Sequence, residues 1–352
     1  MAKTWWVGVA IATGLLAGYL LLWPVSISPE RWTPPPAPAL TGDYTPNDAL
    51  AGVTRVEVGL GPESVAVSPA GDVVCGLEAG EIVRWSVEEG TTEKIVSIDG
   101  RPLGMEFDAD GNLIVCDLFG RLLSISGSGE IGLLVTEIAN EPLGLVNDLD
   151  IARDGTILFS ESSTETTDTV RDLLEHRPNG RLLSYSAESG RVDVLLDGLY
   201  YANGVALSAD ETFVLVVETT EYRVRRLWLA GPRQGEDEVF IDNLPGFPDG
   251  ISCDDEGTFW LALMNPRNGF VDWALTRPWV RKVAARLPLA WFAGAAPRYG
   301  FILGLSEDGR ILHNLQDPSG DFYAGISSVV REGGFLYLGS LLENTVGRLA
   351  IP

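Results

Sequence analysis

Histidine and cysteine are scarce in this chain, two of the first and three of the second in 352 residues. Zinc and haem centres are built from those residues at close spacing, and no C-x-x-C is present, so both centres are disfavoured. A Ser/His/Asp triad would have to use His176 or His313, and there is no G-x-S-x-G elbow to carry its serine. Cys75, Cys116 and Cys253 make no disulfide framework and read as buried free thiols. Positive charge is also short: 25 Lys and Arg face 49 Asp and Glu, a net charge of −24. Nucleic acid needs a basic face and is excluded as a partner. The acidity favours solubility and draws cations.

What the N-terminus does have is an uninterrupted apolar run, Trp5 to Val25, without a charge. About 20 such residues cross a bilayer as a helix. Trp5, Trp6 and Trp23 stand at its ends, as interfacial aromatics do. Lys3 precedes it, which favours a short cytosolic N-terminus (residues 1–4), a single-pass anchor (5–25) and a remainder outside the cytosol, in periplasm or lumen. A cleaved signal peptide would have a shorter apolar core, about 7–15 residues, with a cleavage site close behind; "APAL" (Ala37–Leu40) is distant. Residues 26–50, "SPERWTPPPAPALTGDYTP" among them, read as a stiff proline-rich tether.

From residue 51 to 352 the pattern changes. No long helical periodicity appears until about residue 272, and short β-branched runs alternate with turn residues. Six units repeat: "GPESVAVSPAGDVVCGL", "RPLGMEFDADGNLIVCDL", "GLVNDLDIARDGTILFSES", "YANGVALSADETFVLVVET", "FPDGISCDDEGTFWLAL" and "GISSVVREGGFLYLGSL". Each is a strand, a tight turn and a second strand, and most continue into a third. The spacing predicts an all-β, six-bladed β-propeller. "VTRVEVG" (Val53–Gly59) is expected to complete the last blade and so remove the open sheet edges.

Aligning the units on their turns brings four oxygen-bearing side chains into register. Glu63, Asn147, Asn203 and Asp249 each stand eight residues before the same turn position, in units one, three, four and five. Leu103 holds that place in unit two and Ser327 the nearest one in unit six. Asn203 precedes Gly204, a pair that ordinarily signals a hairpin. Its place in the register makes it a ligand instead. In a propeller this position lies at the start of the innermost strand, beside the axis. Two carboxylates and two carboxamides without His or Cys form a hard-oxygen set suited to Ca²⁺, with Mg²⁺ second because it demands a tighter octahedron.

The stretch "GRLLSYSAESGRVDVLLDGLYYANGVALSADETFVLVVETTEYRVRRLWLAGPRQG", with "LPGFPDGIS" and "ISSVVREGGFLYLGSL", resembles the strictosidine synthase-like family, nearest its adipocyte plasma membrane-associated branch. The likeness runs from about residue 55 to the C-terminus. It implies a six-bladed propeller related to paraoxonases, gluconolactonases of the senescence-marker type and diisopropylfluorophosphatase. Those relatives hold axial Ca²⁺ with a Glu from blade one, Asn from blades three and four and Asp from blade five, which implies Glu63, Asn147, Asn203 and Asp249. Gluconolactonase-type relatives use the equivalent of Asp249 as ligand and base. Ser327 stands where strictosidine synthase carries its condensing glutamate, which disfavours that condensation. Gly250 stands where relatives often carry a second Asn. His176 and His313 match no paraoxonase base.

The expected activity is therefore calcium-dependent hydrolysis of an ester or lactone, with Asp249 as base; the substrate is a small and apolar molecule. The alternative is a non-catalytic, calcium-stabilised propeller that binds a ligand or partner. Asp117, Glu161, Glu218 and Ser327 are candidates for the pocket rim. One large insertion, residues 268–300 in blade five, is expected to form a helix from about Pro278 to Pro288. Trp279, Val280, Val283 and Leu287 would share its apolar face, with Arg281, Lys282 and Arg286 elsewhere. It is expected to act as a lid.

Overall fold

The structure is a computed structural model that describes residues 2–254, 256–288 and 297–351. Part of the expected blade-five insertion, residues 289–296, lies outside the described residues. Six four-stranded antiparallel sheets form the blades of a propeller. The innermost strands are Val65–Val67, Pro102–Phe107, Leu145–Ile151, Ala202–Leu207, Gly246–Cys253 and Ile326–Glu332. Each touches the innermost strand of the next blade, and the sixth touches the first, closing the ring. Thr54–Glu57 is the outermost strand of blade six, paired with Thr345–Ala350. The ends of the propeller are thereby locked together, as the sequence led us to expect.

The second strands show why no amphipathic alternation was needed. "FVLVVE" (Phe213–Glu218) is buried at every position because one face meets blade three and the other meets blade five. A strand covered on both sides reads as a continuous apolar run. The turn after the innermost strand requires a left-handed residue. Gly71, Gly111, Gly155 and Gly257 supply it, with φ of 80–86°. Glu211 takes the same place in blade four at φ 58°. All three cysteines are free, two of them buried.

Every innermost strand has one edge hydrogen-bonded to its own blade and one edge turned toward the axis. Side chains link neighbouring blades at each junction, and at four of the six they satisfy backbone groups of that second edge. Glu106 of blade two accepts from the Ile151 N–H at 3.0 Å. Asp148 and Asp150 of blade three accept from Val205 and Leu207 N–H of blade four at 3.1 and 2.7 Å. Asn203 of blade four donates to Asp249 of blade five at 2.6 Å. The Ser252 hydroxyl donates to the Val329 carbonyl at 2.6 Å, and the Ser327 hydroxyl donates to the Glu63 carbonyl. Arg101 of blade two pairs with Glu63 of blade one at 2.8 Å.

Close approach at the axis also fixes glycine. A Cβ on Gly204 would lie 2.5 Å from the Ile251 nitrogen and 2.6 Å from the Asp249 carbonyl oxygen. One on Gly250 would lie 2.6 Å from the Ser327 carbonyl oxygen. Gly250 is thus a packing requirement, which accounts for the missing second Asn.

Outside the propeller, α1 (Ala2–Leu22) carries apolar side chains that are exposed all round, and its Trp5–Leu22 window is long and apolar enough to cross a membrane. The proline-rich segment expected as a stiff tether follows it. It is strapped to the propeller surface: the Glu30 and Trp32 N–H groups donate to the Glu175 and Leu275 carbonyls at 2.9 and 3.2 Å. Arg267 and Asn243 donate to the Pro35 and Pro36 carbonyls at 2.7 and 3.1 Å. Proline-rich backbone satisfies none of its own carbonyls, so these side chains find free acceptors. Trp32 stacks on His176 at a ring separation of 4.7 Å.

Replacing Gly204 with Ala should cost about 1–3 kcal/mol by overpacking the axis. Gly132→Ala, whose Cβ would meet nothing nearer than 3.6 Å, should leave the denaturation midpoint unchanged. Equal effects of the two would refute the close-packed axis.

Candidate metal centre

The four residues picked out by register line one cavity of about 160 Å³ on the axis: Glu63, Asn147, Asn203 and Asp249. A local irregularity aims them. In blades three, four and five the innermost strand gains one residue against its partner, between Val146 and Leu149, Ala202 and Val205, and Pro248 and Ile251. The position in question falls inside each of these bulges, which bend a strand and re-aim a side chain. Blade two has the same bulge between Pro102 and Met105, and there Leu103 joins the cavity wall. Asn203 therefore lies in a strand, not a turn.

The amides are oriented by their N–H groups. Asn147 Nδ2 donates to Ser162 Oγ at 2.9 Å, and Asn203 Nδ2 donates to Thr219 Oγ1 at 3.1 Å as well as to Asp249. Neither amide oxygen accepts a hydrogen bond among the described residues, so both are available to a cation. Burial pushes the Asp249 carboxyl well above the ordinary range, and the Glu63 charge adds to that. Burial also raises Glu63, with Arg101 working against it. This donor set fits a hard cation: two carboxylates that favour a positive neighbour and two free carbonyl oxygens. Among the described residues no group of three or more His, Cys, Asp or Glu has metal-binding geometry; the set here is half carboxamide.

The other candidates are placed elsewhere. Asp117, Glu161 and Glu218 were expected on the rim and instead are fully buried outside this cavity. They share one structural role. Asp117, Glu161 and Glu218 accept from the Arg101, Gly144 and Tyr200 N–H groups at 3.0, 2.6 and 3.0 Å, where each blade begins. Each also pairs with an arginine of the following strand: Arg121, Arg181 and Arg223. A buried carboxylate is tolerated only with such partners. Ser327 is buried, outside the cavity lining, with its hydroxyl bound to the Glu63 carbonyl.

The cover of the cavity differs from expectation as well. The described part of the blade-five insertion forms two short helices, α3 (Gly269–Leu275) and α4 (Pro278–Ala284), where one was expected; α4 starts at Pro278 as foreseen. Neither helix lines the cavity. Their burial reverses the expected face: Trp279 is 61% exposed and Arg281 is 3% exposed. The Arg281 guanidinium donates to the Leu174, Glu175 and Leu275 carbonyls and to Glu30. Carbonyls at helix C-termini attract such a cation. Among the described residues the cover comes from blade three, whose insertion carries α2 (Thr169–Glu175). Thr169 and Leu173 line the cavity, and the Asp168 carboxylate caps the helix by accepting from the Arg171 N–H. That cap, followed by Val170, Leu173 and Leu174, was the sequence signal for it. Arg101 and Tyr201 also line the cavity and lay outside the repeat register. Leu118, Leu145, Phe247, Met264 and Leu341 make the remaining wall apolar.

Comparison with known proteins agrees with the resemblance. The family model described as strictosidine synthase matches residues 147–232, and the one described as strictosidine synthase-like, N-terminal, matches residues 42–85. Strictosidine synthase-like 10 of Arabidopsis thaliana is 35% identical over 343 residues, spanning 89% of this chain and 90% of that protein. The adipocyte plasma membrane-associated protein of Homo sapiens is 34% identical over 364 residues, 96% of this chain and 86% of that protein. Among solved structures, a gluconolactonase from Xanthomonas campestris superposes with a TM-score of 0.64 at 18% identity, covering 85% of this chain and 89% of that one. A calcium-binding regucalcin from Agrobacterium tumefaciens gives 0.61 at 17%, covering 84% and 93%. At such identities these two likenesses show the fold.

Acids raised on folding make the metal-free protein less stable as pH climbs from the ordinary carboxylate range through their raised values. A divalent cation needs the deprotonated forms, so its stabilisation should grow over the same window. Added calcium is expected to raise Tm more at pH 8 than at pH 5, and Asp249→Asn should remove most of the shift. A shift equal at both pH values, or undiminished in the variant, would contradict the site.

Proposed function

Because the chain belongs to the strictosidine synthase-like family, we propose that it is a membrane-anchored, calcium-dependent hydrolase of apolar esters or lactones. One observation carries this reading: four repeat-related oxygen side chains line a single small cavity whose other walls are largely apolar. Glu63, Asn147, Asn203 and Asp249 would hold the ion. Bound calcium supplies Lewis-acid polarisation of the substrate carbonyl. The apolar wall from Leu118, Phe247, Met264 and Leu341 binds the acyl or ring portion and excludes water from it. Asp249, a carboxylate made more basic by burial, takes a proton from the attacking water. Its Oδ1 is held by Asn203, which leaves the second oxygen for that transfer. The Arg101 guanidinium, beside Glu63, places positive charge where the carbonyl oxygen becomes negative. The anchor would hold its N-terminus in the cytosol and the propeller in periplasm or lumen, since Lys3 precedes the span.

A strictosidine-type condensation is disfavoured, because Ser327 stands in the place of its glutamate with its hydroxyl bound to a backbone carbonyl. A second reading has a specific observation behind it. Arg101 already neutralises Glu63, so the cavity can serve as a ligand-binding site on a non-catalytic propeller.

Hydrolysis of a panel of aryl esters and lactones separates the two. The hydrolase should lose turnover to a chelator. Asp249→Asn should lower kcat/KM by about 10²–10⁴-fold, and Arg101→Gln by about 10²-fold. Calcium binding with no turnover on any member of the panel would favour the binding module.

A further inference from the structure

The face of the propeller that carries the cavity also carries its exposed apolar loop residues. Innermost strands begin on this face and second strands end on it, so two kinds of connection meet there: the link into each blade and the link from second to third strand. Leu60 lies in the link into blade one, and Phe119 and Leu342 lie in the second-to-third links of blades two and six. Val170 is on α2, Phe270 and Trp273 are on α3, and Trp279 is on α4. All are exposed, Phe270 at 63% and Trp279 at 61%. The exposed apolar residues of the blades themselves, such as Val194, Val239 and Leu312, sit on outermost strands around the circumference.

Three loops tie this apolar ring to the cavity mouth. Leu118, Thr169 and Leu341 line the cavity, and the next residue in each case, Phe119, Val170 and Leu342, is exposed. The anchor leaves from the same side. Tyr19 Oη donates to the Arg286 carbonyl at 3.1 Å, and Arg286 Nε donates to the Trp23 carbonyl at 2.8 Å, just beyond α4. The end of α1 is thus fixed beside the helix that bears Trp279. Soluble surfaces seldom gather so many large apolar side chains on one face without a partner, and a bilayer already lies at the end of α1.

We propose that the cavity-bearing face is seated on the bilayer that holds the anchor, with Phe119, Val170, Phe270, Trp273, Trp279 and Leu342 in the interfacial layer, so that the cavity opens toward lipid and takes its ligand from there. The proposal rests on α1 as a membrane span and not on hydrolysis. Glu141, Asp168 and Asp321 are exposed on the same face beside Lys282 and Arg298, so the charges there are mixed and the contact is apolar insertion that needs no anionic lipid. Interfacial side chains of this kind reach about 5–10 Å into the headgroup and acyl boundary.

The test uses the full chain in phosphatidylcholine vesicles. Cysteine is introduced singly as Leu15→Cys, Phe119→Cys, Trp279→Cys or Leu342→Cys, with Val194→Cys and Val239→Cys on the circumference. Each is labelled with an environment-sensitive fluorophore; label on the unsubstituted protein gives the background from Cys75, Cys116 and Cys253. Lipid carrying a nitroxide high on its acyl chain is then added. Labels at 119, 279 and 342 should lose most of their fluorescence, as at 15 within the span, while labels at 194 and 239 keep theirs. Loss at 15 alone would overturn the seated face with the anchor intact. No loss at 15 would overturn both. If one variant fails to fold, the other two face positions still decide the outcome.

Discussion

A propeller closes its ring at a cost that the rest of this molecule is arranged to meet. Six innermost strands turn one backbone edge toward the axis, where no further strand can pair. Unsatisfied N–H and C=O groups there would each be expensive. The chain answers with side chains lent from blade to blade. Glu106 serves Ile151, Asp148 and Asp150 serve Val205 and Leu207, Ser252 serves Val329, and Ser327 serves Glu63. Oxygen-rich side chains at the axis are a condition of the architecture before they are a site.

The candidate centre grows out of that condition. At the start of the innermost strands a bulge re-aims the repeat position into open space, so its oxygens are not consumed by the neighbouring edge. Asn147 and Asn203 then hold their amides by the N–H side and keep their carbonyl oxygens free. Lower on the axis Asp148 and Asp150, of the same residue chemistry, accept backbone N–H bonds. Burial pushes Asp148 up to about 7 and raises Asp150 as well, the mark of buried carboxylates charged at a cost. The difference between a structural acid and a candidate ligand here is whether a backbone donor is within reach.

Arg281 links the site to the anchor. Its buried guanidinium collects the C-terminal carbonyls of α2 and α3 and the carbonyl of Glu30 in the strap. The helix that covers the cavity, the insertion that carries the exposed tryptophans and the segment leading from α1 therefore meet at one cation. Loss of solvent pushes that guanidinium down to about 10, still charged at neutral pH.

The sequence alone determined the blade count, the strand that closes the ring and the four cavity oxygens, because repetition converts spacing into symmetry: residues in one register must approach one axis. The apolar span of α1 was legible for a similar reason, since composition and length suffice for it. Tertiary structure decided what depends on contact between segments distant in the chain. Asp117, Glu161 and Glu218 read as pocket acids but face the N–H groups that begin each blade, a pairing no local pattern reports. Arg101 entered the cavity through the chance geometry of one junction, outside the register. Helical periodicity sets Arg281 apart from the apolar face, yet two helix ends and the proline-rich strap converge on it and draw it inside. Periodicity describes one element at a time, and the position of a charge depends on every element that can reach it.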